Sequence, residues 1–206
     1  MEFDLESYRA NADLTSPFRG QTYYGGPHTA AGAARANAVC LGLQGEVGRL
    51  TAFFEKCVCR GDLISAERLQ AHLGDLLWHI SEALTALGIS VSDEQPSFDE
   101  SQETITGAVK EMGVIERVRL TPGVFDKNAM EVLQVVSCLA SYAASLSTFI
   151  YACLIEKNMH PPRMAVGQLS TVLSSWHRMV QMFGLEAEQV ALTDLGKRKK
   201  TSPNKE

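Results

Sequence analysis

The sequence predicts an all-α protein, a tandem, pseudo-two-fold helical bundle of two related halves. Three observations carry that prediction. Apolar residues recur at three- and four-residue steps over 33–59, 66–87, 128–155 and 164–183, the period of a one-sided helix. No stretch shows convincing strand alternation closed by hairpin turns. Sliding the chain by 96 residues, without a gap, lays the first pair of helical stretches on the second.

In order along the chain, residues 1–95 form the first half. It opens on a short acidic stretch at Phe3-Asp4, followed by the turn-forming Gly25-Gly26-Pro27. A long helix over 33–59 stops before Gly61-Asp62, and a second over 66–87 stops at Gly88. Gln95-Pro96 separates the halves. The second half, 96–206, opens on the similar Phe98-Asp99 and turns at Thr121-Pro122-Gly123. Its helices over 128–155 and 164–183 are parted by His160-Pro161-Pro162 and end at Gly184. From Lys197 to Glu206 the chain is polar and basic, and this tail is expected to fray.

The 96-residue shift superimposes Val39 on Val135, Leu43 on Leu139, Leu50 on Leu146, Phe53 on Phe149 and Cys57 on Cys153. Leu73 falls on Leu169, Leu77 on Leu173 and Gly88 on Gly184. The polar positions do not match. Glu46 falls on Tyr142, Arg49 on Ser145, His72 on Gln168 and Asp75 on Thr171. The second half keeps the core pattern and lacks every candidate ligand of the first.

At 206 residues the chain is long enough to bury a substantial core. Its formal net charge of −5 gives no overall basic surface for nucleic acid. The acidic, polar start does not read as a signal peptide. No apolar run approaches the ~20 residues that cross a bilayer, and Val132 to Ile155 reads as a buried helix. The five cysteines, Cys40, Cys57, Cys59, Cys138 and Cys153, sit in apolar helical patterns and read as core thiols of a reducing cytoplasm. Cys57-Val-Cys59 lacks the two-residue gap of a zinc or redox motif.

Chemistry concentrates in two strings, Leu43-Gln-Gly-Glu46-Val-Gly-Arg49-Leu50 and His72-Leu-Gly-Asp75-Leu-Leu-Trp78. A carboxylate on the inner face of a helix is costly without a cation or hydrogen-bond donor. Two such helices packed antiparallel bring Glu46 and Asp75 together as a candidate divalent-metal site. The competing reading is an acidic pair salt-bridged to Arg49 or Lys56. His72, Asp75 and His79 share a helix face and, with Glu46, could bind Zn²⁺ or Mn²⁺, but ordinary polar helix positions are the favoured reading of them.

These strings resemble the MazG-like branch of the all-α NTP pyrophosphohydrolases. The resemblance rests on Gly42-Leu43-Gln-Gly45-Glu46-Val-Gly48, Leu73-Gly74-Asp75-Leu76-Leu77-Trp78 and Leu87-Gly88-Ile89. Leu5-Glu-Ser-Tyr8 is similar to the family's first helix, and Asp194-Leu195-Gly196-Lys197-Arg198-Lys199-Lys200 to its Asn-Leu-x-Lys ending. Counting the repeat, it covers most of the chain. It implies a helical bundle that completes its core by pairing two copies, here fused in one chain, with a further homodimer left open. It also implies an E-x-x-E and an E-x-x-D motif holding Mg²⁺, which binds a nucleoside triphosphate for cleavage to monophosphate and pyrophosphate. Four carboxylates around hard cations neutralise triphosphate charge and activate water.

Two of those four positions differ. Glu46 and Asp75 match the family's first Glu and its Asp, whereas Arg49 and His72 stand where the other two carboxylates belong. A guanidinium and an imidazole are poor company for Mg²⁺, which prefers oxygen. Arg49 suits direct contact with phosphate instead. The enzyme reading therefore gives Glu46 and Asp75 to the metal, His72 a role as substitute ligand or base, and Arg49 to phosphate. The alternative is a non-catalytic nucleotide-binding or protein-interaction module of the same fold.

Other positions are weighed against plainer roles. Lys56 and Arg60 are candidate phosphate holders or solvated positions near a helix end. Trp78, Phe53 and Phe54 are candidates for a base pocket or for core. Tyr23-Tyr24-Gly25-Gly26-Pro27-His28 is a lid or a plain turn, and Lys197-Arg198-Lys199-Lys200 a polyanion contact or solvated tail. No glycine-rich phosphate loop, Ser/His/Asp set or cysteine nucleophile stands out.

Overall fold

A computed structural model of the chain describes residues 4–19, 30–60, 62, 64–89, 127–156 and 163–201. Among these residues the structure is entirely helical: α1 (Leu5–Asp13), α2 (Ala30–Arg60), α3 (Ala66–Ala86), α4 (Lys127–Glu156), α5 (Arg163–Met182) and α6 (Ala187–Thr201). The expected helices over 33–59, 66–87, 128–155 and 164–183 are those of α2 to α5. The boundary at 95/96, the Phe98-Asp99 opening and the Tyr23–His28 segment lie outside the described residues.

Local chemistry sets the helix ends. The Asp4 side chain accepts a hydrogen bond from the backbone N–H of Glu6 and caps α1; Ser65 accepts from Arg68 and caps α3. Beyond α3, Gly88 takes φ 63°. Its N–H donates to the Thr85 carbonyl at 3.1 Å, and the Ile89 N–H to Leu84 at 2.9 Å. Beyond α5, Gly184 takes φ 62°, with Gly184 donating to Gln181 at 3.0 Å and Leu185 to Val180 at 2.9 Å. Both ends form the same glycine cap, in which a left-handed residue satisfies the last carbonyls and the following apolar residue turns back to the core.

The recurrence extends to the helix bounds. α2 and α4, and likewise α3 and α5, start 97 residues apart and end 96 apart. α2 packs along α4, α2 on α3, α4 on α5, and α3 on α5, so the two helix pairs share one interior. That core holds Val39, Leu43, Leu50, Phe54, Leu73, Leu77 and Ile80 from the first pair. Val135, Leu139, Leu146, Leu169, Val172 and Trp176 come from the second. The Trp176 indole is fully enclosed, and its Nε1 donates to the Leu73 carbonyl at 2.8 Å, tying α5 to α3.

Three expectations are corrected. The segment from Lys197 is not frayed from its start: α6 runs to Thr201, packed on α3 and touching α1. Val190, Ala191, Asp194 and Leu195 are its buried face. α4 is also more apolar than anticipated, because Met130–Tyr151 is long and apolar enough to cross a membrane by length and composition. A third of its most apolar window is buried, against α2 and α5. Finally, not every cysteine is a core thiol. Cys40 and Cys57 are buried, and burial pushes the Cys40 thiol up to about 12, but Cys59 is exposed and Cys138 half-buried. The Cys153 side chain lies outside the described residues.

A buried ionic network joins α1, α2 and α3, and none of its members was singled out above. Arg35 has no exposed side-chain surface. It donates to Glu82 Oε1 at 2.9 Å, Asp13 Oδ1 at 2.8 Å and the Phe18 carbonyl at 3.0 Å. Ser16 donates to the other oxygen of Glu82 at 2.7 Å. The 96-residue shift carries Arg35 to Glu131 and Glu82 to Arg178, a reciprocal exchange of charge between the halves.

Candidate functional site

The two strings face each other across α2 and α3, and α6 covers one side. Glu46 sits on the inner side of α2 with only 6% of its side chain exposed. Arg49, one turn on, binds both oxygens of that carboxylate through Nε and Nη2. The opposite wall is His79 of α3, whose Nε2 is 3.8 Å from Glu46 Oε1. A Cβ on Gly42 would meet the His79 ring at 2.3 Å, so the bare backbone of α2 makes room for the imidazole. Trp78 packs edge-on against the same ring.

Asp75 is one turn before His79. Arg198 Nη2 donates to its Oδ1 at 2.9 Å, and Lys197 Nζ lies 3.5 Å from the same oxygen. The Arg198 Nε also reaches both oxygens of buried Asp194 at 3.0 and 2.9 Å. Its guanidinium lies over the Trp78 ring at 4.2 Å, a cation–π contact. Tyr8 of α1 donates its hydroxyl to Asp194 Oδ2 at 2.8 Å. Burial and the neighbouring Asp194 carboxylate raise the Tyr8 phenol far above its ordinary range, so it stays a donor. Burial raises Asp194 too, against the opposing pull of Arg198. Gly74 lets α6 approach α3 closely, since a Cβ there would meet Asp194 Cβ at 3.0 Å.

The electrostatics around His72 are one-sided. Its ring packs against Phe53, and Arg68 lies over that same Phe53 ring at 5.8 Å. Burial lowers the His72 pKa, the Asp75 charge opposes that, and Arg68, Arg49 and Lys197 lower it further. His79 is held lower still, to about 4, by burial first, then by Arg198 and Arg49 against the pull of Asp75. Both imidazoles are neutral at pH 7.

The neutral state of His79 has a measurable consequence. Its folded pKa is below the ordinary 6.5, so between pH 6.5 and about 4 the unfolded chain binds a proton that the folded chain does not. Stability is therefore lost as pH falls through that window, by on the order of 2–3 kcal/mol from this residue. Glu82 and Asp194, raised by burial, act in the opposite sense as pH rises above the carboxylate range. Thermal melts of the protein and of His79→Gln from pH 7 to 4 isolate the difference. A gap between them that does not change over this window would refute a buried neutral imidazole.

The sequence-derived residues are thus only partly gathered. Glu46, Arg49, His72, Asp75 and Trp78 line one region. Lys56 and Arg60 are exposed, farther toward the C-terminal end of α2. Among the described residues no group of three or more His, Cys, Asp or Glu is placed to hold a metal ion, so Glu46, Asp75 and His72 do not form such a set. Each carboxylate has a guanidinium on it instead. Trp78 offers no open face on the side that Arg198 covers, and its Nε1 donates to Thr15 at 3.2 Å. Phe53 and Phe54 are core. Sequence reasoning named Arg198 within the family-like ending and as a candidate polyanion contact, and missed its bonds to Asp75 and to Asp194.

The positions 96 residues on from the first pair's site residues make hydrogen bonds of their own. Gln168 Nε2 donates to Ser145 Oγ at 2.8 Å, and Thr171 to the Gly167 carbonyl. The 96-residue shift places Gln168 on His72 and Ser145 on Arg49. Compared with known proteins, the chain matches no family model, no curated protein and no solved structure.

Proposed function

We propose that the chain is a tandem, pseudo-two-fold pair of MazG-like halves, of which the first binds a nucleotide by its phosphates without hydrolysing it. The duplication is supported by the shared offset of helix bounds and by the identical glycine caps at Gly88 and Gly184. It is supported also by the convergence of the three segments that carry the family resemblance. Tyr8 from the first helix, Asp75 from the second string and Asp194-Arg198 from the ending meet in one hydrogen-bonded cluster.

One observation carries the choice of binding over hydrolysis. Both carboxylates that a catalytic metal would need are already neutralised, Glu46 by Arg49 and Asp75 by Arg198 and Lys197. A divalent ion would have to displace these guanidinium groups and then sit beside them, with too few oxygens to compensate. Exposed Arg49 and Lys197 are instead disposed to meet phosphate oxygens.

The test is calorimetric titration with a panel of nucleoside triphosphates, alongside a pyrophosphate-release assay with Mg²⁺ and Mn²⁺. Binding without turnover is expected, weakened about tenfold or more by Arg49→Gln, the loss of one charge-assisted contact. Metal-dependent turnover abolished by Glu46→Gln or Asp75→Asn would replace this reading with that of a working pyrophosphohydrolase.

A further inference from the structure

We infer that the ligand of this site is a bare polyphosphate anion, taken without a divalent ion, and that magnesium opposes its binding. The inference rests on the phosphate-binding reading above and specifies which form of the nucleotide is bound.

The charges accessible to a ligand are the basis. Three cations border this region: Arg49 of α2 on Glu46, Lys197 of α6 on Asp75 one turn beyond His72, and Arg68 of α3 over the Phe53 ring that packs on His72. The Arg49 and Lys197 side chains are 60% and 53% exposed, and Arg68 is exposed. The nearest carboxylates are less accessible. Glu46 is almost wholly covered and lies under Arg49, and Asp75 is only one-third exposed with Arg198 on it. An incoming ligand therefore meets cations first, and the acidic groups serve to orient them. Arg49 is held by Glu46 through two nitrogens, and Arg198 is fixed by Asp194 and Asp75. Guanidinium groups anchored in this way are pre-oriented for phosphate oxygens. Neutral His72 adds a hydrogen-bonding group without repelling either sign.

A free triphosphate presents its full negative charge to such a site. The magnesium complex of the same nucleotide carries two charges fewer and has phosphate oxygens committed to the metal. It would also bring a cation against Arg49, Arg68 and Lys197. The chain supplies the counter-charge that a metal supplies elsewhere, so the two exclude each other.

The experiment uses the full chain and ATP as probe. Dissociation constants are measured by calorimetry in EDTA and again with Mg²⁺ in excess over nucleotide, at equal ionic strength so that screening is matched. The expected result is at least about a tenfold weaker affinity with Mg²⁺. Arg49→Gln and Lys197→Gln, each first shown by circular dichroism and a melting curve to be folded, should each weaken binding in EDTA and shrink the magnesium effect. Equal or tighter binding with Mg²⁺ overturns the inference and leaves the phosphate-binding reading standing. Unchanged affinity in both variants overturns it too, because the anion then binds elsewhere. No ATP binding in either condition overturns the phosphate-binding reading itself, and the inference falls with it.

Discussion

Arg35→Ala lowers folding stability by about 3–5 kcal/mol, the cost of stranding a buried charge. Glu82, with 1% of its side chain exposed, loses its ion-pair partner and keeps only the Ser16 hydroxyl. Asp13 loses the same guanidinium, and the Phe18 carbonyl loses a donor. Burial already pushes the Glu82 pKa up against the pull of Arg35, so removing that pull leaves a carboxyl that folds protonated. The double variant Arg35→Leu/Glu82→Leu is expected to recover most of the loss, because a buried ion pair contributes little net over apolar residues of similar size. Chemical denaturation of the three proteins measures this. A loss below about 1 kcal/mol in Arg35→Ala would mean that the pair is hydrated in solution.

Trp176→Ala is expected to cost a similar amount, about 3–5 kcal/mol, by a different route. The indole fills the meeting point of α3 and α5, where nothing polar or aqueous can replace it. Trp176→Phe keeps much of the volume and removes the bond from Nε1 to the Leu73 carbonyl. That carbonyl is within a helix, so the smaller change should cost about 1–2 kcal/mol. If Phe and Ala prove equally damaging, the hydrogen bond rather than the packing holds α5 on α3. The contrast between the variants separates the two contributions, and melting curves suffice to measure it.

The helices were legible because a three-to-four-residue apolar period survives in the sequence wherever one helix face is buried. α2 to α5 follow that period from end to end. α6 was not, since its buried face is small: Val190, Ala191 and Leu195 sit among polar residues. Its order depends on bonds to Asp75 and Gln70 made across more than a hundred residues. The same distinction holds at the site. The Glu46–Arg49 pair is a one-turn neighbour and was readable as an alternative to a metal ligand. Arg198 on Asp75 is a contact 123 residues long, and local pattern carries no trace of it. Arg35 and Glu82 left one faint signal. The 96-residue shift carries them to Glu131 and Arg178, residues of opposite charge, a match visible only when the shift is read for polar residues as well as apolar ones.

The cluster that joins Tyr8, Asp75, Asp194 and Arg198 also imposes an order on the protein's birth at the ribosome. Tyr8 and Asp194 are separated by 186 residues, so their hydrogen bond closes only after residue 194 has left the exit tunnel. Until then α1 to α3 can fold locally, but Asp75 lacks its two basic partners and α3 has a bare flank. A nascent chain stalled short of Lys197 therefore carries Asp75 without the Lys197 and Arg198 side chains that neutralise it here. Long-range closures of this kind come last because the intervening chain must first be ordered. Chaperone demand and protease sensitivity should accordingly concentrate in the interval before the last helix docks.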